Sequence, residues 1–336
     1  MPLCLADTSR THLSNVVIIP EMSSGRIFNT LGDVDLPPSP VHLAIGMFDG
    51  LHLGHQSVIE SAIHSARRSD DLAGVLTFWP HPSRLFRPSD PTPQMMNPDD
   101  KVTFLFGLGL DFVVIHPFEA EFARMEAEEF LPFLRSQITG LSAVYVGENW
   151  RFGRGRAGDV KRLIQLAKAQ NLTVFSAPRT NLNGEPISST RVRNHLLKGD
   201  IAKVNELLGY CYFSLGTVVP GRRVGRKLGF PTLNIEWRSE LHPAYGVYAV
   251  RVCAPDRREF RDGIANFGLQ PTVNSGDSIP QLEIHVLDVC PWDSGDRLST
   301  EWLGFIRPER KFGSLKALQK QIALDVEEVR KRRHAP

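Results

Sequence analysis

Between Val41 and Pro178, short apolar runs alternate with longer segments in which apolar residues recur every three or four positions. The runs at 41–47, 72–79, 112–117, 143–147 and 172–177 are strand-like, and Val41–Ile45 is short enough for a buried parallel strand. The segments 55–69, 127–138 and 159–170 carry helical spacing, as in Val58/Ile59, Ala62/Ile63 and Ala66. Strand and helix in alternation predict a doubly wound α/β sheet, whose ligands bind beyond the carboxyl ends of the strands. After residue 212 the texture changes to short β-rich runs (Phe213–Val219, Gly246–Val252, Gln281–Val289, Ser299–Ile306) separated by Gly- and Pro-rich turns. That pattern predicts a small antiparallel β-barrel. A closing helix starts near Ser314, a plausible N-cap, with Leu315, Leu318, Ile322, Val326 and Val329 on one face. The chain thus divides into a lead-in (1–24) whose order the sequence does not specify, a first domain (25–190), a helical connector (191–212) and a barrel domain (213–336).

A chain of 336 residues exceeds one typical domain, in agreement with this division. The balance of 39 basic against 37 acidic residues gives no reason to expect nucleic-acid binding. The local cation clusters Arg151 to Arg156 and Arg222 to Lys227 read instead as sites for one or two phosphates. Four widely spaced cysteines show no Cys-x-x-Cys pattern, so neither a zinc site nor a disulfide framework is expected, and the thiols fit a reducing cytoplasm. The run Val16–Ile19, closed by Pro20, is too short for a signal or spanning segment, and no membrane association is expected. Self-association is left open.

The richest chemistry lies where the first strand meets its helix, in Gly46-Met47-Phe48-Asp49-Gly50-Leu51-His52-Leu53-Gly54-His55. A helix N-terminus offers free N–H groups and the positive end of the macrodipole, and two imidazoles add directional donors for an anion. Gly54 allows a phosphate close to the backbone. Either histidine alone reads more readily as part of a surface turn; with the lead-in Gly46, Phe48, Asp49 and Gly50 the phosphate reading takes over. Three further segments share that destination: Pro80-His81-Pro82 after the next strand, Asn149 and Phe152 after a later one, and Ser189, Thr190 and Arg193 before the connector. Ser188 to Thr190 read equally well as an N-cap cluster. Such an edge can hold a nucleoside triphosphate and bring a second phosphate onto its α-phosphorus, a reaction that needs positioning and charge stabilisation but no protein nucleophile. A Gly153-x-Gly155-x-x-Gly158 match to the dinucleotide fingerprint is weak by itself.

The barrel carries a second constellation, Gly221 to Asn234. It is not a P-loop. A glycine-rich flap with Gly221, Gly225 and Lys227 can still cover phosphates, and Thr232 and Asn234 offer hard oxygen ligands suited to Mg²⁺. Glu283, between apolar strand residues, can accept a proton from an attacking hydroxyl, although a solvent-facing glutamate is the commoner reading of that spacing.

Taken together, Gly-x-Phe-Asp-Gly-x-His-x-Gly-His, Ile187-Ser-Ser-Thr-x-Val-Arg193, Gly229-Phe-Pro-Thr-Leu-Asn234 and the segment from Gly263 resemble the bacterial bifunctional riboflavin kinase/FAD synthetase family over roughly residues 25–333. The resemblance implies a Rossmann-like nucleotidyltransferase domain followed by a riboflavin kinase barrel, with ATP and Mg²⁺ as requirements, riboflavin and FMN as substrates and FMN and FAD as products. It further implies Glu283 as general base, metal ligation at Thr232 and Asn234, catalytic roles for His52 and His55, and flavin contacts at Pro80, His81, Pro82 and Phe152. Leu233, Gln270, Ser294-Gly295, Met47 and Asn149-Trp150 depart from the common family forms. Two alternatives stay open at this point: a monofunctional riboflavin kinase with a divergent first domain, and a non-catalytic flavin-sensing regulator.

Overall fold

The computed structural model describes residues 25–221, 224–255, 259–271 and 278–333. The lead-in 1–24, Arg222 and Arg223 of the second cation cluster, and Thr272 lie outside the described residues.

Six strands form one parallel sheet: β1 (Arg26–Phe28), β2 (Val41–Ile45), β3 (Leu72–Phe78), β4 (Phe112–His116), β5 (Leu141–Gly147) and β6 (Thr173–Ala177), in the order β1-β4-β3-β2-β5-β6. β2 is buried on both faces, as parallel strands covered by helices must be, with Val41, Leu43, Ala44 and Ile45 essentially inaccessible. From β2 the chain crosses to β3 on one side and later to β5 on the other, so the strand order reverses at β2/β5. The loops leaving the carboxyl ends there open a crevice, the expected ligand position in such sheets. The helices of this module are α1 (Leu53–Ser69), α2 (Ser83–Phe86), α3 (Pro98–Gly107), α4 (Ala120–Arg124), α5 (Ala127–Gln137) and α6 (Val160–Lys168). Helix α3 escapes the periodicity analysis because its first turn is Pro-Asp-Asp-Lys; Asn97 caps it by accepting from the Asp100 amide at 2.8 Å.

A two-residue hairpin (β7, Asn181–Leu182; β8, Glu185–Pro186) leads into the connector, which is two helices: α7 (Ser189–Leu197) and α8 (Ile201–Leu208). The barrel is closed by β9 (Phe213–Val219), β10 (Leu233–Glu236), β11 (Gly246–Cys253), β12 (Phe260–Pro271), β13 (Ser278–Val286) and β14 (Arg297–Pro308), antiparallel throughout in the ring β10-β13-β12-β11-β14-β9. β10 and β12 are absent from the sequence reading: the first is four residues long, and glycines at 263 and 268 break the alternation of the second. A short turn of helix, α9 (Val224–Lys227), precedes β10, and α10 (Leu315–Arg333) packs on the outside of the barrel, where Val329 joins Val247, Ala249 and Ile264. Ser314 caps α10, accepting from the Ala317 amide at 3.2 Å, but Leu315 is 63% exposed and does not belong to the packed face. The helix is also held by a buried carboxylate, since Asp325 receives the Arg307 guanidinium of β14 at 2.7 Å.

One hydrophobic core runs from the parallel sheet into the barrel. Phe104 of α3 meets Tyr210 at 4.5 Å and Phe213 of β9 at 6.2 Å between ring centroids. Asn205 of α8 donates to the Trp302 carbonyl of β14 at 2.9 Å and accepts from the Tyr212 amide at 2.8 Å. No helix among the described residues is long and apolar enough to cross a membrane.

Candidate active sites

The turn after β2 is built by residues that pay a backbone strain for their positions. Phe48 (φ 46°) and Leu51 (φ 40°) lie in the left-handed region, as does Gly50 (φ 75°), where a Cβ would also meet the Met95 methyl at 2.4 Å. The turn ends at His52, the N-cap of α1, whose Nδ1 accepts from the His55 amide at 3.3 Å. Gly54 occupies the first turn of α1, and the two imidazoles stack at 3.7 Å with planes 17° apart. Burial lowers the His52 pKa to about 4, against a stabilising contact with its own backbone, and the Arg193 charge lowers it further. Burial likewise holds His55 well below its ordinary value, with His52, Lys101 and Arg193 adding to the effect. Both rings are therefore neutral at physiological pH and act as hydrogen-bonding groups, not as cations. The His55 Nδ1 is buried and has no partner among the described residues.

The linkage is one-signed. A histidine whose pKa is lowered by folding contributes stability that is fully present above pH 6.5 and is lost as pH falls toward 4, on the order of 3 kcal/mol for His52. In the nucleotide-free protein, an NMR titration of the imidazole protons is expected to show no His52 inflection between pH 5.5 and 8. An inflection near 6.5 contradicts this.

Asp49 and Arg193 are the keystone of the turn. The Asp49 carboxylate, 1% exposed, accepts from the Met95 amide at 2.9 Å and from Arg193 at 2.5 Å, while Arg193 Nε donates to the Pro93 carbonyl at 3.0 Å. Ser189 donates to the Asp49 carbonyl at 2.9 Å, and Ser188 caps α7 by accepting from the Arg191 amide at 3.2 Å; Thr190 is exposed. The sequence reading sets Asp49 and Arg193 among nucleotide contacts. In the structure they are engaged with one another and brace the turn. Asp49→Ala, which strands the Arg193 guanidinium, is expected to lower stability by about 3–5 kcal/mol, read as a shift in the urea midpoint. A loss below 1 kcal/mol refutes the keystone role.

Lys101 of α3 completes the turn and was invisible in the sequence. It is 2% exposed, its Nζ donates to the Met47 carbonyl at 3.0 Å, and burial lowers its pKa to about 8 while Asp49 opposes the shift. The available signal is a cation that directly precedes an apolar run, in which Val102, Phe104 and Leu105 are all buried.

A cavity of about 610 Å³ opens at the carboxyl ends of β2 to β5. Of the residues singled out in the sequence, Gly46, His81, Pro82, Asn149 and Phe152 line it. Pro80 does not; it follows a cis Trp79–Pro80 bond and is exposed. His81 Nδ1 accepts from the Ser83 amide at 3.0 Å, so its proton sits on Nε2, and burial lowers its pKa, keeping it a neutral donor. His52 and His55 stand one ring behind this cavity: the Phe48 ring lies 2.9 Å from where a Gly46 Cβ would be and meets His55 edge-on at 5.4 Å. An aromatic wall that no local sequence signal marks completes the cavity. Phe118 and Phe122 line the cavity and pack on Phe78 at 5.7 and 5.4 Å, an apolar surface suited to a flat ring system. Of the first cation cluster, Arg151 pairs with Asp159 at 3.3 Å and Arg154 with Glu126 at 2.7 Å.

The second cavity, about 320 Å³, lies on the outer wall of the barrel beneath α10. Register places Asn234, Glu283 and Asn266 side by side on β10, β13 and β12, and Glu283, Asn266, Thr232 and Gly225 line the cavity. Asn234 lies beneath, 7% exposed, its Oδ1 accepting from Gln281 at 2.7 Å. Gly221 covers it so closely that a Cβ would fall 1.9 Å from the carboxamide nitrogen. Lys227 ends α9 and is exposed. Thr232 and Asn234 supply neutral hard oxygens, and the Asn234 Oδ1 keeps a second lone pair beside its bond to Gln281, a donor set that fits a Mg²⁺ whose other ligands are phosphates and water. His285, missed in the sequence, also lines the cavity and is held by the Pro231 carbonyl at 2.8 Å.

Two family models divide the chain between them: FAD synthetase matches residues 36–191 and riboflavin kinase residues 208–332. The bifunctional riboflavin kinase/FMN adenylyltransferase of Escherichia coli K12 is 34% identical over 283 residues, which is 84% of this chain and 90% of that protein. The chain belongs to the bifunctional riboflavin kinase/FMN adenylyltransferase family. A member from Haemophilus influenzae is 33% identical over 288 residues, 85% of this chain and 92% of its own. Among solved structures, one described as a macrolide-efflux protein from Streptococcus pneumoniae superposes with a TM-score of 0.81 at 27% identity, covering 92% of this chain and 99% of that one. The two cavities fall one to each family segment. The larger is lined by residues of the FAD synthetase match, and the smaller by residues of the riboflavin kinase match.

Proposed function

We propose that the chain performs two ATP-dependent steps: the barrel phosphorylates riboflavin to FMN, and the parallel-sheet module joins FMN to AMP, giving FAD and pyrophosphate. The observation that carries the residue-level reading is the row Asn234–Glu283–Asn266 on the barrel wall, with Glu283 and Thr232 lining one cavity. In the first step Glu283 takes the proton of the ribityl hydroxyl as its oxygen bonds to the γ-phosphorus and ADP leaves. Thr232 and Asn234 would hold Mg²⁺, which supplies neutralisation of phosphate charge when bound. Gly221, Gly225 and Lys227 belong to the flap over the phosphates.

In the second step an FMN phosphate oxygen attacks the ATP α-phosphorus and pyrophosphate departs. His52 and His55, as neutral donors at the start of α1, stabilise oxygen charge on the transferring group. Gly46, Gly50, Gly54, Asn149, Ser189 and Thr190 shape the nucleotide site, with Asp49 and Arg193 bracing it, and His81, Pro82 and Phe152 face the flavin. A cytoplasmic enzyme drawing on the ATP pool fits these substrates.

The test is to incubate the protein with riboflavin, ATP and Mg²⁺, and separately with FMN, ATP and Mg²⁺, and to resolve the flavins by chromatography. FMN followed by FAD is expected. FMN alone leaves a kinase with a divergent first module, and flavin binding without product leaves a regulator.

A further inference from the structure

A third cavity, about 450 Å³, lies between the two modules and belongs to neither site described above. From the parallel-sheet module it is lined by Trp79 and Gln94, and from the barrel by Trp237, Arg238, Glu240 and His242. Its volume is within the range of small-molecule sites.

The decisive group is Gln94. Its backbone is fixed on both sides: its own amide donates to Glu240 Oε2 at 3.0 Å, Glu240 is in turn paired with Arg84, and the next amide, of Met95, donates to Asp49 at 2.9 Å. The side chain so positioned is 1% exposed, and neither its Nε2 nor its Oε1 has a partner among the described residues. A buried carboxamide with both ends unsatisfied is costly, and a leucine would fill the same space without that cost. A group retained there against its desolvation points to a ligand that answers it.

The ligand's chemistry follows from the walls. A carboxamide presents a donor and an acceptor side by side, the complement of a heteroaromatic edge that carries both. Trp237 is held rigid by its neighbours, edge-on to His242 at 5.0 Å and against Phe267 at 5.8 Å and Trp302 at 5.6 Å, and with Trp79 it supplies indole surface for a flat ring. Among the described lining residues Arg238 alone carries a fixed positive charge, and it is already bound to Glu236 at 2.7 Å, while Glu240 adds a carboxylate. Such a lining does not suit a phosphate.

We propose that this cleft is a third binding site, taking the planar ring of an unphosphorylated flavin or adenine compound, read on its hydrogen-bonding edge by the Gln94 carboxamide. It is distinct from both catalytic cavities, so occupancy there does not require turnover. It lies where the two modules meet and bridges Gln94 of one with Trp237 of the other.

The test is equilibrium dialysis of the full-length protein, without ATP or Mg²⁺, against riboflavin and separately against adenosine, using wild type, Gln94→Leu and Trp237→Leu. Wild type is expected to bind one equivalent more of one of these ligands than either variant does, with the melting temperature of Gln94→Leu undiminished. Loss of the riboflavin equivalent assigns a flavin site, and loss of the adenosine equivalent an adenine site. Equal stoichiometry and affinity of both ligands in all three proteins overturns the proposal. Trp237→Leu decides the outcome by itself where Gln94→Leu does not fold.

Discussion

Replacing Glu283 by Gln is expected to lower FMN formation by roughly 10²–10⁴-fold while FAD formation from supplied FMN proceeds at the wild-type rate. The substitution keeps the volume and a hydrogen-bonding oxygen, and removes only the capacity to take a proton. Glu283 sits in register between Asn234 and Asn266, on a strand paired along its length with β12, so a neutral isostere has little freedom to relocate. The other cavity is formed by loops of the parallel sheet and contains no residue of β13. Both rates can be followed by flavin chromatography on the same preparation. A folded variant that loses both activities, or neither, contradicts the assignment of Glu283.

The opposite split is expected from the first module. His55→Ala should reduce FAD formation from FMN by roughly 10²–10³-fold and leave riboflavin phosphorylation intact. The His52 position needs a more careful variant, because its ring also caps α1 through the His55 amide. Alanine there would remove about 1 kcal/mol of capping in addition to the chemistry. His52→Asn restores a capping oxygen without an imidazole, and is expected to match His55→Ala in rate with little loss of stability. Unchanged FAD formation in His55→Ala and His52→Asn together would remove the histidine pair from the mechanism.

Local signals carried much of the fold. Val58, Ile59, Ala62, Ile63 and Ala66 announce α1, and all five are buried in it. The apolar runs of β2 to β5 likewise need no knowledge of their neighbours to be read as covered strands, whereas β6, at the sheet edge, leaves Thr173 and Phe175 exposed. The histidine motif is legible for the same reason, since a strand, a turn and a helix start are contiguous in sequence. What stayed hidden depends on partners far along the chain. Asp49 reads as a contact to the nucleotide, and its bond to Arg193 is formed only when the fold brings the two together across 144 positions. Lys101 looks like a surface cation because its acceptor, the Met47 carbonyl, is supplied by another element. Phe118 and Phe122 read as ordinary apolar residues, and only the alignment of strand ends turns them into the wall of a cavity. Arg307 and Asp325 are similarly silent until α10 folds back onto β14.

The Tyr210 hydroxyl donates to the Gly50 carbonyl at 2.9 Å, and Asn205 ties the same stretch of chain to Trp302 of the barrel. These bonds lie within a core that does not stop where the parallel sheet ends. Excision of either half would therefore bare an apolar surface and cut the support of the strained turn that presents the histidines. The two modules are joined through a common interior and not merely by a tether, and a lesion on the barrel's inner face is expected to be felt at the turn that presents the histidines.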